Sequence, residues 1–422
     1  MTSRPSLARK LGLADAVFIG LGSMIGAGVF AAFTPAAHAA GNGLLIGLVV
    51  AAVVAVCNAL ASAQLAAVYP ESGGTYVYGR RVLSPWWGFL AGWSFVIGKT
   101  ASCAAMALTF AFYAAPAGWE RPVAVAAVVG LAAVNYRGVT RTAALTRVIV
   151  VVVLLALAVA VAAGGSIIGG PAGFAEATDP GGLLAGGGYG ILQSAGLLFF
   201  AFAGYARIAT MGEEVRDPER TIPRAIVIAL AITVVVYGIV AVTLLGVLGP
   251  DGVASSVAPL ADTVRASGWD WAAPLVRLGA AAASLGALLA LFAGIGRTTL
   301  AMAREGDLPS WLASVHPKFS VPHRAEVVLA LVVSVLVLTV DLRGAIGFSS
   351  FGVLLYYFVA NVAAFHQPAA ERRYPRALQV LGAVACVILV ATLPPVGIAV
   401  GVGVLLVGAA YRIASMRGTA RT

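Results

Sequence analysis

Charge is what this sequence has least of. Only 10% of its 422 residues are Asp, Glu, Lys or Arg, against roughly 25% in ordinary soluble domains. A surface that faces water on all sides needs more than that, so a soluble globular fold is excluded. The 60% of hydrophobic residues and the mean hydropathy of +0.96 point to an integral membrane protein. The three cysteines, Cys57, Cys103 and Cys386, all fall in apolar runs, where they read as small packing residues and exclude a disulfide framework. The four histidines, His38, His316, His323 and His366, sit at or beyond the ends of such runs, where they read as interfacial or capping, and form no metal-ligand spacing. No glycine-rich phosphate loop ending in Gly-Lys occurs, so ATP-driven pumping and zinc chemistry both lack a motif. No nucleophile stands with a base either, and the chain is read as a non-enzyme without a cofactor. The longest polar segments, near 212–222 and 303–325, leave no room for a soluble domain, which places function inside the membrane.

What is present is a series of twelve apolar runs, near 13–38, 44–68, 86–113, 122–136, 142–164, 185–211, 223–248, 272–302, 326–341, 344–366, 377–393 and 395–411. The fourth and ninth are short. The first is followed by many of equal strength, so it is expected to be a retained span rather than a cleaved signal. The net charge of +10 is explained by placement. With twelve spans both termini share one side with loops 2–3, 4–5, 6–7, 8–9 and 10–11, and that side carries 20 of the 27 basic residues. The opposite side has four, Arg121, Arg265, Arg277 and Arg343. The positive-inside rule therefore puts both termini in the cytoplasm of a multi-pass inner-membrane (plasma-membrane) protein, and nucleic acid is not needed as a partner.

Two spans are interrupted by small residues. The first contains GLGSMIGAGVF, residues 20–30, and the sixth contains LLFFAFAGYARIAT, residues 197–210, with Ala201, Ala203, Gly204 and Ala206 among aromatics. Gly22, Gly26 and Gly28 let the chain leave helical geometry. An unwound turn exposes backbone groups that cost several kcal/mol each if left unsatisfied in hydrocarbon, so a polar occupant is expected there. A half-helix starting near Ile25 would aim its N–H groups and partial positive charge at a carboxylate, and the broken ends would offer carbonyls to an ammonium or a cation. The same glycines lie at a spacing that also serves close helix packing. Interrupted spans five apart fit an inverted repeat with a site at the two breaks.

GSMIGAGVF in span 1, PESGGTYVYGRR in loop 2–3, EEVRDPERTIPRAI after span 6 and AREGDLP after span 8 together resemble the amino acid/polyamine/organocation (APC) superfamily of permeases, over residues 13 to 411 and in the same order. The resemblance implies an all-α integral membrane fold of 12 transmembrane helices: a LeuT-type 5+5 inverted repeat plus two peripheral helices. Residues 1–422 would form one transport domain, with a first repeat at 13–167, a second at 185–366 and the peripheral helices at 377–411. It implies a secondary transporter that moves amino acids by alternating access, with membrane lipid around it. It further implies that Ser23, Met24, Ile25, Gly26, Ala27 and Gly28 hold the substrate carboxylate. Phe199, Phe200, Ala201, Phe202, Ala203 and Gly204 would offer carbonyls to the amino group, with Phe200 or Phe202 as an aromatic gate. Loop 2–3, with Glu71, Gly73, Gly74, Tyr76 and Tyr78, resembles the family's amphipathic hairpin, a structural or gating element. In two places the chain departs from the pattern. Ala206 and Arg207 follow the span 6 glycine where many relatives have an acid, and residues 148–161 of span 5 lack the lysine that proton-linked relatives carry.

Three basic residues fall inside spans: Lys99, Arg207 and Arg297. A lysine at mid-membrane depth costs about 2.5–3.5 kcal/mol, so Lys99 should face the bundle interior, on a stripe continued by Ser102, Cys103 and Met106. It is the candidate replacement for the span 5 lysine, either as the coupling proton site or as a fixed cation between spans 1, 3 and 8; the plainer role is to satisfy carbonyls of broken span 1. Arg207 and Arg297 are either snorkelling cations paired with Glu213, Glu214 or Asp15, or parts of a cytoplasmic gate. All 17 acids lie in loops or at span ends, so a cationic side chain would find no buried counterion. The expected substrate is a neutral amino acid, carried by proton-coupled symport or exchange. A permease for cationic amino acids, polyamines or other organic amines and a non-transporting amino-acid sensor are the alternatives, and Lys99 and Arg207 lend some support to anionic amino acids. The substrate's identity, the direction of transport, the coupling ion and the oligomeric state are not fixed by these residues. Pro218, Thr221 and Pro223 mark the boundary before span 7, with Thr221 as the expected cap.

Overall fold

The computed structural model describes residues 11–69, 73–138, 143–168, 179–209, 211 and 214–419. They form helices throughout, with no strand among them; a lone parallel bridge joins Leu11 to Val215. In chain order the helices are α1 (Leu13–Met24), α2 (Ala27–Ala31), α3 (Phe33–Ala40), α4 (Leu44–Val68), α5 (Thr75–Tyr78), α6 (Pro85–Ala114), α7 (Glu120–Tyr136), α8 (Ala143–Ile168) and α9 (Pro180–Leu184). They continue with α10 (Gly187–Phe202), α11 (Ala206–Ala209), α12 (Pro218–Ser255), α13 (Pro259–Ala266), α14 (Ala273–Arg304), α15 (His323–Thr339), α16 (Leu342–His366), α17 (Arg376–Thr392) and α18 (Pro395–Thr419). Among the described residues, nine helical segments are long and apolar enough to cross a membrane, and α17 is a shorter apolar helix. The two runs expected to be short are α7 and α15, 17 residues each.

Burial sorts these helices. α6 is enclosed along most of its length, whereas α18 is largely exposed at the outside of the bundle. Gly98 of α6 and Gly352 of α16 allow a close crossing of these two helices. A Cβ on Gly352 would lie 2.6 Å from the Ser94 carbonyl oxygen, so the two backbones touch. Polar side chains join helices in the interior, where they have few other partners. Asn361 donates to Asn58 at 2.6 Å and Gln64 donates to Gln367 at 2.7 Å, tying α4 to α16 and the segment after it. All three cysteines are buried and free, as their apolar runs predict. Cys386 also accepts a hydrogen bond from Asn58 at 3.4 Å.

The start of span 7 differs from expectation. The helix begins at Pro218, five residues before the predicted run, and the capping position is Asp217 in a left-handed conformation (φ 46°). Thr221 lies inside the first turn, where its hydroxyl bonds back to the Arg216 carbonyl at 2.8 Å rather than capping. Pro223 is tolerated because the Glu219 carbonyl, which its missing N–H would have bonded, instead accepts from Arg373 at 2.7 Å. At the far end Gly249 (φ 68°, ψ 171°) breaks α12 just before Pro250.

Candidate functional site

Both interrupted spans are broken, in different ways. α1 ends at Met24, the chain leaves helical geometry at Ile25 (φ −79°, ψ 35°) and Gly26 (φ −82°, ψ −137°), and α2 starts at Ala27. Ala32 keeps right-handed dihedrals between α2 and α3, so residues 27–40 act as one half-helix. In the sixth span α10 tightens into a 3-10 turn at Ala203–Tyr205 before α11 resumes at Ala206.

The breaks lie against each other. A Cβ on Gly204 would fall 2.2 Å from the Ser23 carbonyl oxygen, and one on Gly28 would fall 2.6 Å from Ala201 Cα. Glycine is required at both positions because backbone meets backbone. The two roles that residue types alone left open fall to different glycines: Gly26 lies in the unwound turn, whereas Gly22 and Gly28 stay helical and Gly28, like Gly204, serves close packing.

The exposed carbonyls are taken by side chains. Tyr237, fully buried in α12, brings its hydroxyl within hydrogen-bond distance of Met24 O (2.5 Å) and Ala201 O (3.0 Å), one from each break, which share its single proton. Ala203 O accepts from Tyr357 of α16 and from the ammonium of Lys99, each at 3.3 Å. Neither tyrosine was singled out from the sequence. Their signal was a phenol in the middle of an apolar span, since a buried hydroxyl needs a partner. Lys99 faces the interior as expected, but the carbonyl it meets belongs to the sixth span, not the first.

A cavity of about 220 Å³ runs from the breaks toward loop 2–3. Gly22 and Ser23 line it from the first span, and Phe200, Ala203, Gly204 and Ala206 from the sixth. Lys99, Ser102 and Met106 line it from α6, and Arg207, Arg297 and Tyr76 from the side of loop 2–3. Among the described residues that line it, three are cations and none is an acid. Ser102 also bonds Ser349 at 2.6 Å. Met24, Ile25, Gly26, Ala27 and Gly28 are buried outside this cavity. So are the remaining sixth-span candidates: Phe199 packs on Tyr357 (ring centroids 5.8 Å), Phe202 on Tyr237 (5.1 Å), and Ala201 under Gly28. Of the two gate candidates, Phe200 alone borders the cavity.

Beyond the breaks, on the side of α3, the core is closed. Phe30 meets Tyr113 edge to face at 5.5 Å, Tyr113 donates to Phe30 O at 3.3 Å, and Phe33 lies 6.3 Å from Tyr237. At the cavity's other end, Asp307 accepts from Tyr76 (2.8 Å), from Arg80 (2.9 Å) and from Arg412 of α18. Burial and this carboxylate hold the Tyr76 phenol above its ordinary pKa, so it stays protonated as a donor. Asp15 pairs with Arg147 rather than with Arg207 or Arg297. Glu214 and Arg297 are both within electrostatic reach of Arg207. Glu71 and Glu213 lie outside the described residues. No cluster of metal ligands occurs among the described residues.

The profile of the family described as "Amino acid permease" matches residues 11–414. The chain belongs to this family of APC permeases. It is 60% identical over 409 residues to an uncharacterized transporter of Mycobacterium tuberculosis, covering 96% of this chain and 91% of the relative. It is 28% identical to the cationic amino acid transporter 6 (chloroplastic) of Arabidopsis thaliana, with 86% and 67% covered. It is 25% identical to the branched-chain amino acid permease BcaP of Bacillus subtilis, with 89% and 84% covered. The permease is therefore a multi-pass membrane transporter, and family and relatives alike indicate transport rather than catalysis.

Proposed function

We propose that this permease is a secondary transporter that moves neutral amino acids by alternating access, through proton-coupled symport or exchange. The observation that carries the reading is the cavity that touches both broken spans and is lined, among the described residues, by Lys99, Arg207 and Arg297 without an acid. The two breaks supply opposite poles for a zwitterion. The half-helix from Ala27 presents its N-terminus near Ser23, which favours a carboxylate, and the end of α10 presents carbonyls, which favour an ammonium. A lysine or polyamine would bring a second positive charge into a site that already holds three cations, and like charges in a low-dielectric interior repel strongly. Relatives named for cationic and for branched-chain amino acids stand at comparable distance, so the reading rests on the lining charge, which weighs against a cationic side chain.

In this reading α1 to α18 compose twelve spans, with residues 13–167 and 185–366 as inverted repeats and α17 and α18 peripheral. Both termini face the cytoplasm. The cavity's extension toward loop 2–3, with the aromatic seal of Phe30, Phe33, Tyr113 and Tyr237 on the opposite side, fits an inward-facing state. Residues 148–161 carry no ionisable group, so among the described residues at this cavity's deep end Lys99 is the candidate proton site. Ser23 and Phe200 are the substrate contacts, with Arg207 and Arg297 at the inner gate.

The test is counterflow in proteoliposomes with a panel of labelled amino acids. Exchange of alanine, leucine or phenylalanine in excess of arginine, lysine and putrescine is expected. Binding without exchange would make the protein a sensor, and preferred exchange of arginine or putrescine would overturn the charge argument.

A further inference from the structure

The carbonyl at the end of α10 already has a cation on it. Ala203 O lies at the C-terminal end of α10, where a helix carries partial negative charge over its last carbonyls, and Lys99 Nζ sits 3.3 Å away with the residue 8% exposed. Lys99 and Ala203 both line the cavity, and no acid among its lining residues neutralises the ammonium. The place that a substrate ammonium would take is thus filled by a tethered ammonium from α6. Met24 O and Ala201 O are also engaged, sharing the Tyr237 hydroxyl.

We propose that Lys99 is a specificity-determining residue, an internal ammonium that competes with the substrate's own for Ala203 O and offers its charge to the substrate carboxylate. The proposal rests on the amino-acid permease reading and deepens it. Two consequences follow from this geometry. A des-amino carboxylate loses little in the wild type, because Lys99 fills the subsite that its missing amine leaves empty. Removing the lysine opens that carbonyl to the substrate amine and withdraws the charge partner of the carboxylate, so both changes favour the amino acid over its des-amino analogue. A lysine that only packs the bundle would weaken both ligands alike.

Binding is measured on purified full-length protein in detergent with matched pairs: alanine and propionate, leucine and 4-methylpentanoate, phenylalanine and 3-phenylpropionate. For the pair that binds, wild-type affinities within about tenfold of each other are expected. Lys99→Met should raise the ratio of amino-acid to des-amino affinity by about tenfold or more, and Lys99→Arg, which keeps a cation, should leave it near the wild-type value. An unchanged or lowered ratio in Lys99→Met overturns the proposal. If that variant does not fold, the wild type decides alone, because rejection of the des-amino partner by about a hundredfold or more overturns it equally. If no amino acid of the panel binds the wild type, the permease reading of the substrate fails and this inference fails with it.

Discussion

The two breaks reach a similar end by different means. In the first span the helix stops at Met24 and resumes at Ala27, with Ile25 and Gly26 fully out of register. The sixth span only tightens, and Phe202 (φ −81°, ψ −22°) and Ala206 (φ −51°, ψ −30°) keep right-handed dihedrals on either side of its 3-10 turn. The larger distortion is the more deeply sealed. Met24, Ile25, Gly26, Ala27 and Gly28 are buried away from the cavity, whereas Phe200, Ala203, Gly204 and Ala206 line it. The break with little backbone distortion is therefore the one on which charge has collected, through Lys99 at Ala203 O. A site in a membrane helix is located by who satisfies the freed carbonyls, not by how far the helix unwinds.

The strongest way to break this pairing is Gly204→Ala. The added methyl would fall 2.2 Å from Ser23 O and 2.6 Å from Met24 N, both backbone atoms that cannot move aside without shifting α1. Overpacking of this kind costs typically about 1–3 kcal/mol and more where backbone must move. Loss of counterflow together with a clear fall in melting temperature in detergent is expected. Gly130→Ala, which meets nothing within 4 Å, is the control and should leave both unchanged. A Gly204→Ala protein as stable as that control would mean that the breaks are not in contact.

Tyr237→Phe comes next, because one hydroxyl serves both breaks. Its removal leaves Met24 O and Ala201 O without this buried donor, a loss of about 1–3 kcal/mol. The expected readout is a lower melting midpoint with the ring packing against Phe202 and Phe33 preserved. An unchanged midpoint would show that the shared hydroxyl does not tie the spans together.

Much of this was legible in the residues. Hydropathy located the apolar runs that fold as helices, the short α7 and α15 among them, because an apolar run is a local property. The glycines located both breaks, and the charge census predicted a cavity free of acids. What was not legible depends on contacts far apart in the chain. Lys99, whose plainer expected role was at the carbonyls of the first break, meets a carbonyl of the sixth, 104 residues away. Tyr237 and Tyr357 were passed over because a tyrosine in an apolar run looks like packing until its hydroxyl is placed. The start of α12 was missed because Arg373, from a loop 154 residues later, satisfies the Glu219 carbonyl that Pro223 leaves free.

Tyr357→Phe should cost less than Tyr237→Phe, although both rings are fully buried. Ala203 O loses one of two donors and keeps Lys99, so a typical single hydrogen bond of about 0.5–1.5 kcal/mol is at stake. Melting curves of the two variants side by side give the ranking. A Tyr357→Phe effect larger than that of Tyr237→Phe would mean that Lys99 does not hold Ala203 O.

Gly26→Ala carries the smallest expected effect and tests the comparison most finely. Gly26 is the most distorted residue of the first break, so a view in which unwinding itself makes the site predicts that it tolerates nothing. Its surroundings argue otherwise. A methyl there meets the Ala287 side chain at 3.1 Å and no other atom closer than 3.5 Å, and a side chain can yield by the few tenths of an ångström that a backbone cannot. The substitution also leaves the Gly26 N–H in place, so any backbone donation to a carboxylate survives it. A loss of under about 1 kcal/mol is expected, with the affinity for the amino acid identified by counterflow kept within about threefold of wild type. A loss matching that of Gly204→Ala would remove the asymmetry between the two breaks and return the first to the centre of the site.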